Sequence, residues 1–356
     1  MDRRTFLRLS SMSAVALGLG TGLSACLSGP DANGLRLLGG FTSRKIATTG
    51  QQVANTGFVW HTDPDGGACF PAAGGGWIYV SNSESVQGGA SMVRFAANGD
   101  IIGAASILSG TTANCAGGAT PWGTWLSCEE ATSGRVHECD PTGVAAAVVR
   151  PAMGVFKHEA AAAAPAEQVI YLTEDRTDGA LYRFIPATWQ DLSAGQLQVM
   201  TSVGGVIGWA QVPDPGASVT ATRYQVPNVR PFDGGEGAVM VGSDLVFTTK
   251  GDGRVWRYAP GSNTLSVVYD AATVSSPVLT GVDNLAQRSA NLYVCEDGGD
   301  MQIVRITPSG AVEAVLQLDG VVNSEMTGVA FSPDGTRMYF SSQRNPGATY
   351  EVAGPW

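Results

Sequence analysis

The chain has 356 residues, 44% of them hydrophobic, enough to bury a sizeable core, and its 31 acidic residues outnumber the 21 basic ones for a formal charge of −10. With only three lysines and no basic run, that balance argues against nucleic acid or anionic lipid headgroups as partners, because both repel an acidic surface. The same acidity suits divalent cations.

The N-terminus reads MDRRTFLRLSS, with Arg3 and Arg4 followed by Phe6 and Leu7, then an apolar run from Met12 to Leu23 that is short for a bilayer span. This is similar to a twin-arginine export signal, and Leu23-Ser24-Ala25-Cys26 resembles a lipoprotein lipobox, in which the cysteine is lipidated and becomes the first residue. The expectation is export to the periplasm or cell surface, with residues 1–25 as signal peptide and 26–356 as one domain, a monomer that lipid on Cys26 would tether to the membrane. Cleavage there leaves 331 residues and, by removing one acidic and three basic side chains, takes the charge from −10 to −12. Beyond Cys26 remain Cys69, Cys115, Cys128, Cys139 and Cys295, an odd number where disulfides persist, so at least one thiol stays unpaired within a monomer. Intermolecular pairing or an inert buried thiol would account for it without any chemistry.

Six short segments align along the rest of the chain: Ile78-Tyr79-Val80-Ser81, Thr124-Trp125-Leu126-Ser127, Ile170-Tyr171-Leu172-Thr173, Val246-Phe247-Thr248-Thr249, Leu292-Tyr293-Val294-Cys295 and Met338-Tyr339-Phe340-Ser341. Their starts lie 46, 46, 76, 46 and 46 positions apart, and the second place is aromatic every time. Clustered β-branched and aromatic residues make each a strand, with turn chemistry such as Pro333-Asp334-Gly335 or Gly242-Ser243-Asp244 ahead of it. A second hairpin follows in GRVWRYAPGSNTLSVVYD and in MQIVRITPSGAVEAVLQL, giving four strands per repeat. The spacing predicts an all-β, six-bladed β-propeller. The 30 surplus residues of the third interval fall within 183–216 as a loop on one face, and the alanine run after Glu159 belongs to a buried strand.

In such a blade the start of the first strand and the end of the second share an edge, and those edges meet around the axis. The starts read Cys69, Cys115, Glu159, Glu236, Asp283 with Asn284, and Glu325; the ends add Glu129 and Glu130, Glu174 and Asp175, Glu296 and Asp297. Acids at strand ends often only cap turns. A ring of them repeated at matching positions repels itself unless cations are present: oxygen ligands favour Ca²⁺ or Mg²⁺, and a thiolate among them favours iron.

The stretch NCAGGATPWGTWLSCEE (114–130) resembles the signature of the PhoX-type alkaline phosphatases, as do FKHEAAA (156–162), YLTEDR (171–176), FDGGEG (232–237), VDNLA (282–286) and EMTGVAFSPDGTRMYF (325–340). The resemblance implies a propeller whose axial mouth holds iron and calcium and hydrolyses phosphate monoesters, polarising the phosphoryl oxygens and supplying a metal-held nucleophile. It implies Cys115 as the thiolate on iron, Glu159, Glu236 and Glu325 as metal-binding carboxylates, and Glu130, Glu174 and Asp297 as further members. Four cysteines would then remain for two bridges, Cys128 with Cys139 being nearest in sequence, whereas Cys69 paired with Cys115 would remove the thiolate. His61, His137 and His158 are too few and scattered for a zinc phosphatase; His158 either orients a ligand or is packed.

Two departures stand out. Where the family carries an arginine before the glutamate matching Glu236, this chain has Gly234 and Gly235, and the family's QHPG-like run reads Gln343-Arg344-Asn345-Pro346-Gly347. The oxyanion clamp is therefore expected from Arg344 or Arg176, working with Glu236 on a small phosphorylated substrate. Two other functions fit the same residues: a calcium-dependent, lactonase-like hydrolase with the ion on Glu236, Asn284 and Asp297, and a non-catalytic metal-binding propeller.

Overall fold

Six antiparallel sheets follow one another along the chain and close into a ring, the six-bladed β-propeller expected from the repeat. The computed structural model describes residues 27–356, so the expected export segment and Cys26 lie outside the described residues. Blade 1 comprises Pro64–Pro71, Trp77–Ser83, Gly89–Phe95 and Ile101–Ser109. Blade 2 comprises Asn114–Ala119, Trp125–Glu129, Val136–Cys139 and the short Val148–Val149. Blade 3 has five strands, His158–Ala164, Val169–Glu174, Leu181–Thr188, Asp191–Val203 and Val206–Gln211, and blade 4 runs Gly235–Val241, Asp244–Thr249, Arg254–Ala259 and Thr264–Asp270.

Blades 5 and 6 join the two ends of the described chain. Blade 5 (Val282–Arg288, Asn291–Glu296, Gln302–Ile306, Val312–Leu318) gains Leu35–Leu37 as its outermost strand. Blade 6 (Met326–Phe331, Arg337–Ser342, Ala348–Ala353) is completed by Thr42–Thr48, paired from Thr42 opposite Ala353 to Thr48 opposite Ala348. Sealing the ring with an N-terminal strand leaves no open gap between the first and last blades.

The aromatic second place of each aligned segment explains the packing. Tyr79, Trp125, Tyr171, Phe247, Tyr293 and Tyr339 are all essentially fully buried, each in a wedge between neighbouring sheets. Tyr79 of blade 1 stacks on Tyr339 of blade 6 with centroids 5.0 Å apart, and Tyr171 of blade 3 meets Tyr258 of blade 4 edge to face at 6.0 Å. Each ring removes enough apolar area to contribute roughly 2–3 kcal/mol, which fixes both the blade spacing and the register that presents the strand ends at one face.

At the axis the innermost strands leave a cavity of only about 40 Å³, little more than one water. Small residues allow this approach. A Cβ on Gly66 of blade 1 would lie 2.6 Å from the Ala116 Cα of blade 2, and one on Gly237 of blade 4 would lie 2.8 Å from the Asn284 Cα of blade 5. The ring is therefore plugged below its mouth.

The surplus residues of blade 3 begin inside the expected window, as a fifth strand at Val206–Gln211 rather than a loop, and run on past it as an excursion from Val212 to Gly234. The expected disulfides are corrected outright, since Cys69, Cys115, Cys128, Cys139 and Cys295 are all free thiols. Cys128 lies opposite Val136 and Cys139 opposite Trp125, so the two cysteines point to opposite faces of blade 2, into different core clusters.

Candidate metal centre

Two structural devices build the mouth. The first is a β-bulge: in every blade the pairing of first and second strands slips by one residue, between Pro64 and Gly67, Asn114 and Gly117, His158 and Ala161, Gly235 and Ala238, Val282 and Leu285, and Thr327 and Ala330. A bulge leaves an extra residue unpaired and re-aims its side chain. The first residue inside each slipped segment is Asp65, Cys115, Glu159, Glu236, Asp283 and, in blade 6, Gly328. The second device is the first residue past each second strand: Glu84, Glu130, Asp175, Lys250, Asp297 and Gln343. Together they make two tiers of polar side chains around the axis, five in the bulges and six at the strand ends.

Neighbouring blades hold the bulges in place. Asn82 of blade 1 donates to the Cys115 and Ala116 carbonyls at 2.9 and 2.8 Å, Thr173 of blade 3 to the Glu236 carbonyl at 2.5 Å, and Thr248 of blade 4 to the Asp283 carbonyl at 2.6 Å. Blades 1, 3 and 4 thus grip the bulge of the next, satisfying carbonyls that the slipped register left unpaired.

The sulfur lies at the junction of two acidic groups. Ligand atoms of Asp65, Glu84 and Cys115 all lie within 4.8 Å of one another, and so do those of Cys115, Glu130 and Glu159. Cys115 thus belongs to both sets. Glu159 is fully buried, and neither of its oxygens has a hydrogen-bond partner, an arrangement costing several kcal/mol for a carboxylate unless a cation or proton is present. Burial, and then the mutual repulsion of the acids, pushes Asp65, Glu159, Glu236 and Asp283 above the usual carboxylate range, Glu130 to about 8 and Glu325 to about 10, and raises the Cys115 thiol as well. Bound cations would reverse that bias, since ligands bind deprotonated. The donor set, one sulfur among hard oxygens, fits a transition metal beside harder cations.

Lysines supply the charge balance on one side. Lys250 Nζ lies 2.8 Å from Glu236 Oε1 and 3.3 Å from Asp175 Oδ2; Lys157 Nζ lies 2.8 Å from Asp175 Oδ2 and also contacts Glu130. Burial works to raise the Asp175 carboxyl, but the two ammonium groups outweigh it and hold it below the usual range. On the other side, Gln343 donates to Asp65 Oδ2 at 2.5 Å and to Glu84 Oε2 at 2.6 Å, while Arg344 reaches Glu325 at 3.0 Å and Glu84 at 3.5 Å.

Of the residues expected at the mouth, Cys115, Glu130 and Glu159 form one of the two sets. Glu236 is linked to Glu130 through Lys250, Asp175 and Lys157, and the negative charge of Asp283, Asp65 and Asp297 is felt at Glu325. Asn284 is placed differently: its Oδ1 accepts from the Thr327 hydroxyl at 3.1 Å and the Gly328 N–H at 3.0 Å, and so orders the blade 6 bulge. Glu174 is spent on its own loop, accepting from Ala180 N–H and Tyr182 Oη and pairing with Arg223 at 2.9 Å. Glu129 and Glu296 do the same in blades 2 and 5, capping the N–H groups of Arg135 and Gln302. Strand alternation sends these side chains away from the mouth and their successors Glu130, Asp175 and Asp297 toward it. Arg176 donates to the Thr132 hydroxyl at 2.9 Å, beside the cluster rather than on it. Cys69 sits opposite Tyr79 and packs against an apolar cluster, so the blade 1 contribution is Asp65 instead. His158 is a packed residue, fully buried, stacked 3.6 Å from the Phe156 ring and bonded to the Gly154 carbonyl.

Asp65 and Glu84 were not singled out from sequence, Gln343 entered only within the QHPG-like run, and Lys250 ends the fourth aligned segment at the expected mouth without a role that the sequence assigns. Asp65 hides in Pro64-Asp65-Gly66-Gly67, which reads as a turn, and the recoverable signal for the other three is their shared place just after an aligned segment. Lys250 also answers the missing arginine. Gly234 has φ +69°, and a Cβ there would meet Lys250 Cγ at 3.0 Å and Asp175 Oδ1 at 3.3 Å. The space that a side chain at 234 would enter is filled from the neighbouring strand end by a lysine.

Comparison with known proteins bears out the resemblance. The model of the family described as alkaline phosphatase PhoX matches residues 81–141 and 132–232. No curated protein matches the sequence significantly. Among solved structures, Pseudomonas fluorescens PhoX in complex with vanadate, a transition state analogue, superposes with a TM-score of 0.76 at 15% identity, over 93% of this chain and 97% of that one. A Bacteroides thetaiotaomicron protein of unknown function follows with TM-score 0.56 and 10% identity over 88% and 76% of the two chains. The calcium-binding protein regucalcin from Agrobacterium tumefaciens gives 0.51 and 12% over 82% and 92%. At these identities the superpositions establish a shared propeller fold.

Proposed function

We propose, from its similarity to the PhoX alkaline phosphatases, that this chain is an exported metallophosphatase hydrolysing phosphate monoesters at an iron and calcium centre in the propeller mouth. The observation that carries the proposal is the Cys115 thiol shared by two carboxylate sets, with the buried Glu159 oxygens left without partners. Asp65, Glu84, Cys115, Glu130 and Glu159 would hold the sulfur-containing part of the centre, and Glu236, Asp283, Asp297 and Glu325 the all-oxygen part. Bound cations supply neutralisation of phosphoryl charge and activation of the attacking oxygen.

The protein's own groups do the rest. Lys157 fixes Glu130 and Asp175 in one geometry, and Gln343 does the same for Asp65 and Glu84, so the ligands are positioned before anything binds. Lys250 and Arg344, half exposed at the rim, carry the fixed positive charge that a phosphate dianion meets on entry. Were the acids to hold cations, Lys250 and Arg344 would no longer be needed by Glu236 and Glu325 and would be free to donate to phosphoryl oxygens. They take the place of the clamp absent at Gly234, while Glu236 stays in the all-oxygen ligand set. The plugged axis below the bulges keeps substrate at the surface, consistent with an enzyme that accepts small esters from solution.

Purified, natively exported protein should hydrolyse p-nitrophenyl phosphate at alkaline pH, lose that activity on treatment with a chelator, and regain it with iron and calcium. Protein shown to contain both metals yet inactive on a panel of phosphate monoesters would overturn the proposal.

A further inference from the structure

The surplus residues of blade 3 do more than lengthen a loop. After Gln211 the chain crosses the mouth side through a 3-10 turn at Thr222–Tyr224, with Pro215 accepting from Val155 N–H and Phe232 donating to the Gly179 carbonyl. With the neighbouring loops of blades 2 and 3 it encloses a cavity of about 220 Å³, whose polar lining is Thr132, Lys157, Glu174, Arg176 and Arg223. At ~30 Å³ per water this holds roughly seven waters, room for an anionic group on a short carbon stem.

Three cations and one acid line the cavity, and they are not equally engaged. Arg223 is committed, its guanidinium holding Glu174 at 2.9 Å and Asp178 at 3.2 Å while lying over the Tyr224 ring. Lys157 stands in the wall shared with the metal centre, its ammonium turned to Glu130 and Asp175. Arg176 is different: among the described residues no carboxylate pairs with it, and its side chain makes one hydrogen bond, to the Thr132 hydroxyl at 2.9 Å. A half-buried guanidinium held by one hydroxyl, with its other donors open to a cavity, is a ready bidentate receptor for a carboxylate or phosphate. Lys157 makes the cavity and the cluster adjacent, so one small molecule can occupy both.

We infer that this cavity receives a second anionic group carried by the leaving group of the substrate, with Arg176 as its principal contact. The preferred substrates are then phosphate monoesters bearing a carboxylate or a further phosphate a few bonds from the ester. This rests on the phosphatase reading of the neighbouring centre. Arg176 is a specificity residue in this account, touching the leaving group rather than the phosphoryl group being transferred.

The test uses a matched pair, 3-phosphoglycerate, which carries the extra carboxylate, and glycerol 3-phosphate, which does not. In the metal-loaded protein the ratio of kcat/KM for the first over the second should fall at least tenfold in Arg176→Glu and about threefold in Arg176→Gln. Arg176 makes one hydrogen bond at the surface, so both variants should fold, and thermal unfolding checks this. Equal losses on the two esters would place Arg176 on the transferred phosphoryl group and overturn the inference. If wild-type protein turns over neither ester, the phosphatase reading fails, and calorimetry decides the cavity separately. Binding of 3-phosphoglycerate at least tenfold tighter to wild type than to Arg176→Glu, with inorganic phosphate unaffected, supports it. Equal binding to both proteins, or a parallel loss of inorganic phosphate binding, overturns it.

Discussion

Replacing Lys250 by methionine keeps the stem that fills the space beside Gly234 and removes only the ammonium. At 2.8 Å from Glu236 Oε1, the gross attraction is ~6 kcal/mol for an effective dielectric of about 20. Desolvation offsets most of it, and the lysine side chain is 37% exposed, so the net loss on deleting the charge is about 2 kcal/mol in protein stripped of metal. In metal-loaded protein the cations already neutralise Glu236 and Glu159, and the loss should shrink to about 0.5 kcal/mol or less. The assay is urea unfolding of wild type and Lys250→Met, each with and without metals. Activity gives a second readout: loss of a charge-assisted contact to a phosphoryl oxygen is worth roughly 1.5–3 kcal/mol, a fall of about 10- to 150-fold in kcat/KM with metal content unchanged. Equal destabilisation with and without metals would mean that the acids around Lys250 bind no cation, and the reasoning would be refuted.

Burial holds the His61 imidazole down at about 3, from a usual value of 6.5. The unfolded chain takes a proton below pH 6.5 that the folded chain refuses, so stability is complete above that pH and is lost as pH falls toward 3, by at most on the order of 4 kcal/mol. Unfolding midpoints across this range should fall less steeply in His61→Gln, and parallel curves would contradict the assignment. Gly118→Ala drives a Cβ into the Ala161 carbonyl where blades 2 and 3 meet and should cost at least about 3 kcal/mol, whereas Gly103→Ala, whose nearest neighbour is 3.8 Å away, should be silent in a thermal unfolding assay. Because the described cysteines are all free, reductant should leave the unfolding midpoint unchanged, and thiol titration of unfolded, metal-free protein should find Cys69, Cys115, Cys128, Cys139 and Cys295 all reactive.

The ring was legible in the sequence because a single physical requirement repeats: a large ring must fill each wedge between twisted sheets, so an aromatic recurs at the same place in every blade. The tier of acids was legible for the same reason, as strand ends of equal repeats converge on one edge. What could not be read was the phase within that edge. Glu129-Glu130, Glu174-Asp175 and Glu296-Asp297 each pair a loop cap with a mouth residue, and which is which depends on the strand's last residue, where pleat alternation starts to count. Hairpin length adds a second offset that the repeat does not encode: Gly67 pairs with Ser81 where Gly117 pairs with Ser127, so the first hairpin of blade 1 is four residues longer and its bulge presents Asp65, not Cys69. The place of Lys250 at the end of the fourth segment was legible but its role was not, since a cation among acids has a role only once its ion pairs are seen.

Metal content of the folded protein in wild type and Cys115→Ser tests the central claim most directly. The account predicts iron together with calcium in the wild type, and in the variant a loss of iron and of any thiolate-to-iron absorption, with the far-ultraviolet circular dichroism of the propeller retained. Wild-type protein without iron, or a variant whose iron content equals that of the wild type, would contradict it.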